Sequence, residues 1–291
     1  MRRLALLGVV ALGNFAGPSR CSAQAMRTFS VMRPTGAERF LHVTLDFSGG
    51  SVLMMPAPAG QLYGMRVRYD PSRYEPVQQY DSRTGILRLG LESVGGMGLR
   101  VTSRAQLEQV ARFEFAANVP LALYATLGAS DATIDLGGTQ LTELEIRSSA
   151  TRTTVDFSRP THGTCKSATF TVGASQLDVQ HLAQAGCAAL RVDGGAGRAT
   201  LGFGGDWRRD ATLVVDLALG GLELQIPRGT GVRITGERFL APLAGEGFAK
   251  SGDTWTTPGF DQAAHKLTVE LKTSIVRTHV VWTNRQGVNA P

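Results

Sequence analysis

The chain has 291 residues, 43% hydrophobic and 19% charged, with 35 glycines and a formal net charge of +6. That length allows one or two domains with a sizeable core. Half of the excess charge comes from Arg2, Arg3 and Arg20 in the first 25 residues, which hold no acid; the remainder is too weakly basic to be the footprint of a nucleic-acid binder.

Met1-Arg2-Arg3, the mainly apolar stretch from Leu4 to Gly17 and Ala23-Gln24-Ala25 have the layout of a secretory signal peptide over residues 1–25. An uncleaved anchor fits less well, because the apolar run is short for a span and contains Asn14. A lipoprotein signal would need a small residue where Arg20 precedes Cys21. The mature chain is therefore expected to begin near Met26, in the periplasm or at the cell surface.

Residues 26–110 read as an N-terminal β module. Leu41, Val43, Leu45 and Phe47 alternate up to Gly49-Gly50, and Val52 to Pro56 follows, the layout of one strand–corner–strand unit. Leu62 to Tyr69, Pro76 to Tyr80 and Ile86 to Leu89 alternate between turns and read as an antiparallel insertion. Gly95 to Gly98 reads as a loop, Ser103 to Ala111 as a short helix capped by Ser103, and Arg112 to Phe115 as strand.

From Leu121 to Pro227 one unit recurs: an alternating strand, a corner of small residues, a second alternating strand, and a polar connection. The corners are Gly128-Ala129-Ser130, Ser148-Ser149-Ala150, Gly173-Ala174-Ser175, Gly195-Ala196-Gly197 and Gly220-Gly221. The second strands begin their apolar face at Ile134, Val155, Leu177, Leu201 and Leu222, in steps of 21, 22, 24 and 21. A fixed period in this range predicts an all-β, parallel β-solenoid of about five to six rungs, carried over residues 111–283 together with its C-terminal cap. Turn signals about every ten residues also fit a β-sandwich; the likeness of corner to corner at the full period favours the solenoid. Corner glycines are expected to supply positive φ.

Cys165 and Cys187 are 22 residues apart, each just before a first strand. Stacking would bring them side by side, as a disulfide in an oxidising compartment or as two buried thiols. Gly229 to Gly247 is turn-rich, and Phe239, Leu240, Phe248 and Trp255 suggest a flap over the last rung. Lys266 to Leu271 and Val276 to Trp282 read as strands of the cap, and residues 284–291 as a frayed tail.

Three runs carry a family likeness: Asn118-Val119-Pro120-Leu121-Ala122-Leu123 with Gly128-Ala129-Ser130 and Ile134-Asp135-Leu136; Leu190 to Gly197 with Leu201 and Gly205; and Leu224 to Val232. With the Leu62 to Leu89 region they resemble the toast-rack family over roughly residues 40–282. The resemblance implies a β-solenoid of bacterial envelopes. Related modules end the cell-wall-antibiotic-response membrane proteins and occur in candidate adhesins. It supplies no catalytic residue to carry over. A cleavable signal and no membrane helices set this chain apart from the membrane-tethered members.

The residues themselves point to no reaction. Gly173-Ala174-Ser175-Gln176-Leu177 lacks the second glycine of a nucleophile elbow. Gly245 to Ser251 lacks phosphate-loop spacing. The His residues at 42, 162, 181, 265 and 279 have no metal-ligand spacing. Gly194 to Ala199 begins like a calcium nonapeptide, but Ala199 stands where the aspartate is needed. Asp135, Asp156 and Asp178 recur once per unit; stacked, they would repel unless Arg152 and nearby threonines, a cation or a register shift relieves them.

The polar connections leave at one phase and carry Arg159, His162, Lys166, His181, Trp207, Arg208 and Arg209. These form the candidate binding edge, for an envelope glycan, a membrane surface or a protein partner, with no cofactor and no metal. The alternative is a solvated edge on which Trp207 caps the core. Two functions follow: an exported, non-enzymatic binding solenoid, or a polysaccharide-active β-helix enzyme. The second, acting on acidic glycans, would need clustered carboxylates or an Arg/Lys base on one solenoid face, and the sequence offers no such cluster.

Overall fold

The computed structural model describes residues 26–94, 109–149, 152–236, 246–272 and 275–284. The expected signal peptide, the Gly95 to Gly98 loop, the start of the Ser103 helix, Phe239, Leu240 and the tail beyond Asn284 lie outside these residues. Of that expected helix, Val110 and Ala111 are described, and both are strand.

Within the described residues the chain runs β1 (Arg27–Pro34), β2 (Leu41–Pro56), β3 (Gln61–Tyr69), β4 (Tyr74–Asp81), β5 (Ile86–Ser93), β6 (Val110–Phe115), β7 (Pro120–Asp135), β8 (Gln140–Ser148) and β9 (Arg152–Asp156). It continues with β10 (Ser167–Gln180), one helical turn α1 (Leu182–Ala185), β11 (Ala189–Gly202), β12 (Ala211–Pro227), β13 (Gly231–Gly236), β14 (Ala249–Ser251), β15 (Thr254–Thr256), β16 (Lys266–Leu271) and β17 (Ile275–Thr283). All these strands belong to one hydrogen-bonded sheet. No helix among the described residues is long and apolar enough to cross a membrane.

The sheet is a parallel β-solenoid. Its tiers run in the order β5 with β6, β2, β7, β8 with β9, β10, β11, β12, and β16 with β17. Inward side chains form ladders along the axis. On the first strands one ladder is Leu45–Ala125–Ile146–Phe170–Val192–Val215–Leu271. On the second strands another is Met54–Ile134–Val155–Val179–Leu201–Leu224–Val280. All these residues are buried, and they belong to one continuous core. Each fully buried Leu, Ile, Val or Phe contributes roughly 1.5–3 kcal/mol, so the core is the sum of many equal rungs.

This register corrects the series read from the sequence. Ile134, Val155 and Leu201 share a ladder, but Leu177 and Leu222 sit one inward position earlier, opposite Thr153 and Ala199. Inward residues recur every second position, so a slip of two keeps the face and leaves alternation intact.

The ends are built differently from the middle. β2 pairs with β7 at a register offset of 80 residues, Leu41 opposite Leu121, and with β5 and β6 on its other side, so it lies inside the stack. The intervening segment is antiparallel only in part: β4 pairs with β5, and β3 with β6 and β1, while β5 and β6 themselves form the parallel tier beyond β2. At the other end β16 lies between β12 and β13, and β15 and β14 extend β13 antiparallel. These antiparallel additions cover edges that would otherwise offer free N–H and C=O groups for pairing.

Cys165 and Cys187 are joined by a disulfide with Cα atoms 4.3 Å apart, linking the entries of β10 and β11. Closing a loop of 22 residues restrains the unfolded chain by about 3 kcal/mol in the chain-entropy treatment.

Candidate functional site

The connections between second and first strands stack on one another along one side of the solenoid. Gly138 N donates to Arg159 O at 3.3 Å, His162 N to Thr139 O at 2.8 Å, and Thr161 N to Gln184 O at 3.0 Å. The Thr161 hydroxyl donates to Ala185 O at 2.8 Å. Each connection is thus tied to the next, and side chains on it are held by backbone rather than left on free loops.

On this side Arg159 and His162 are exposed and face one depression of about 520 Å³ with Asn118, Gly138, Gln140 and Pro160. Gln140 Nε2 donates to Asn118 O at 3.1 Å, closing one wall. Among the described residues the Arg159 guanidinium makes one long contact, 3.5 Å, with Gly137 O. Asn118 and Gln140 escaped the sequence reading because both lie at strand entries, where polar residues are ordinary.

The other expected residues divide. Arg208 straps two connections together, its guanidinium donating to Thr161 O and its stem passing near Gly186. Arg209 is exposed and has no ion pair among the described residues. Lys166 is exposed at the far end of its connection, where its backbone N donates to Thr142 O at 2.9 Å. His181, in the left-handed region at φ 53°, places Nδ1 2.7 Å from Asp156 Oδ1. Trp207 is half-buried between the rings of Phe203 and His265, both at 5.9 Å, and extends the core outward.

The aspartate series is relieved mainly by hydrogen bonds and by register. Asp135 and Asp156 are directly opposed, but Asp135 accepts from Gly137 N at 2.9 Å and from the Ser158 hydroxyl at 2.7 Å, while Asp156 meets His181. Asp178 is displaced by two positions and lies opposite Thr154 and Thr200. Burial raises its pKa; the Gln180 hydrogen bond opposes that shift, and the charges of Glu223 and Asp156 add to it. No three His, Cys, Asp or Glu among the described residues are grouped to hold a metal ion.

A parallel stack with in-register small-residue corners and antiparallel end covers defines a toast-rack type of β-solenoid. The chain belongs to that family: the model of the N-terminal domain of toast_rack matches residues 25–180, from β1 to the end of β10. None of the curated proteins matches it. Among solved structures it is similar to a candidate cell adhesion protein from Clostridium sporogenes, at 12% identity and TM-score 0.45, covering 89% of this chain and 100% of that one. It is also similar to a candidate adhesin from Bacteroides fragilis, at 8% identity and TM-score 0.41, covering 88% and 98%. At that level neither speaks to what this chain binds.

Proposed function

We propose that the protein is an exported, non-enzymatic β-solenoid that binds an anionic component of the cell envelope through its stacked connections. The observation that carries this reading is the pair of exposed guanidiniums, Arg159 and Arg209: Arg159 and His162 sit on a connection fixed by tier-to-tier backbone hydrogen bonds, and Arg209 on one held by the bonds of Arg208 to Thr161 O and of Lys266 N to Asp210. Fixed cations recognise an anion without the ordering cost of a free loop. Binding of this kind weakens with salt. The enzyme reading requires two available carboxylates flanking a substrate; Asp135 and Asp156, directly opposed beside the stacked connections, are already engaged by Ser158, Gly137 and His181.

The test is sedimentation of the mature chain with vesicles of anionic or zwitterionic lipid. An Arg159→Gln/Arg209→Gln double variant is expected to lose about tenfold in affinity, the order expected from removing charge-assisted contacts. Arg208 is left intact because it supports the loops. Unchanged binding by the double variant, or release of sugar fragments by the pure protein, would sink the proposal.

A further inference from the structure

The corner between first and second strands carries a second feature, on a different side of the molecule from the connections. The outward position just after each corner forms one row in register: Arg152 opposite Gln176, Gln176 opposite Arg198, Arg198 opposite Gly221, and Gly221 opposite Arg277. All three arginines are exposed, and none has an ion pair among the described residues. Tiers are ~4.8 Å apart, so the guanidiniums recur at roughly twice that spacing, with a neutral residue between each pair.

Beside the Arg152 and Gln176 part of this row lies a shallow groove of about 710 Å³, floored by Ala174, Ser175, Ala196 and Gly197, with Asp131 and Arg152 at one end; Arg198 follows Gly197 in the chain, and Arg277 stands two tiers beyond it. A Cβ added at Gly195 or Gly221 would meet nothing within 4 Å, so the corner leaves open space along the axis. The Ser175 hydroxyl is buried in the floor, with no hydrogen-bond partner among the described residues.

Acids set limits on either side. Asp178 and Glu223 stand one outward position further along the second strands, on the tiers between the arginines, and Glu223 accepts from Gln225 Nε2 at 2.8 Å. Across the corner, Asp193 pairs with Arg191 at 2.6 Å, and Asp216 is stacked against Asp193. A flat anionic surface pressed onto this side would meet these acids as well as the arginines. A single thin chain lying in the groove meets Arg152 and Gln176 there, and Arg198 and Arg277 where it continues along the axis.

We infer that the corner groove binds a linear acidic polysaccharide lying along the solenoid axis, with one carboxylate per disaccharide. In an extended polysaccharide one hexopyranose advances about as far as one tier, so a carboxylate on every second sugar falls opposite an arginine on every second tier. Gln176 and the bare Gly221 backbone face the neutral sugars between.

The experiment titrates the mature protein with hyaluronan fragments, one carboxylate per disaccharide, with polygalacturonate, one per sugar, and with neutral dextran. Wild type is expected to prefer hyaluronan, and Arg152→Gln/Arg198→Gln/Arg277→Gln to weaken that binding at least tenfold. The same triple variant is expected to sediment with anionic vesicles as wild type does, which separates this groove from the stacked connections. Gln176→Arg puts cations on three successive tiers and is expected to move the preference toward polygalacturonate; it keeps the test standing should the triple variant fold poorly. Equal binding of hyaluronan and dextran by wild type, no loss in a folded triple variant, or an unmoved preference in Gln176→Arg would overturn the inference.

Discussion

The corner glycines serve mainly to let neighbouring tiers touch. A Cβ at Gly128 would overlap the carbonyl oxygen of Ser48, at Gly173 that of Ser149, at Gly197 that of Ser175, and at Gly220 that of Gly197. Among these four only Gly220 also has positive φ, 137°. The sequence reading assigned these glycines to backbone freedom; the structure assigns most of them to close approach, a role that glycine content cannot reveal. Gly220→Ala is therefore expected to destabilise by at least about 2 kcal/mol, through backbone strain and overpacking. Gly221→Ala, beside it, meets nothing and should change stability little; chemical denaturation of the two variants checks the contrast. Asp178 gives a second residue-scale prediction. Its pKa is raised in the folded state, so the folded chain holds that proton more tightly than the unfolded one, and stability falls as pH rises through the raised range. Asp178→Asn should stabilise at neutral pH. The gain should shrink as pH falls into the ordinary carboxylate range, read as denaturation midpoints at both pH values. A gain independent of pH would refute the assignment.

At the scale of strands, alternation predicts which side chains face inward but not how far each strand has slid. Val155 stacks on Val179, while Leu177, the residue expected there from its spacing, stacks on Thr153. Nothing local distinguishes the two, because both are inward and apolar. Pairing across distance was hidden in part. The layout of β2 reads as a first rung separated from the others by an insertion, and β2 does stack on β7 through the corner, Gly49 opposite Ala129; hidden was that β5 and β6 add a tier beyond it. Of the expected binding edge, Arg159, His162, Lys166 and Arg209 are exposed on polar connections, as composition suggested. The roles of His181 and Trp207 could not be read, because Asp156 and His265, their partners, lie on other tiers.

For the molecule as a whole, each tier rests only on its neighbours, so stability accumulates along the axis and the ends are its weak points. The chain treats both ends alike in one respect. It lays an outer tier, then returns to fill or extend the inner stack: β5 and β6 lie outside β2, and β13 lies outside β16. The disulfide sits instead in the central tiers, between the entries of β10 and β11. It holds in place the connections that carry the Arg159 depression and the Arg208 strap. Both proposed binding surfaces therefore depend on one property, the register of neighbouring tiers. The most direct measurement is cross-linking by paired cysteines on the outer face of β9 and β10, read by mass spectrometry as free thiols. Thr154 lies opposite Asp178, so Thr154→Cys/Asp178→Cys should close a second disulfide, while Asp156→Cys/Asp178→Cys should retain two free thiols. Closure of the second pair with the first left open would contradict the register and both surfaces built on it.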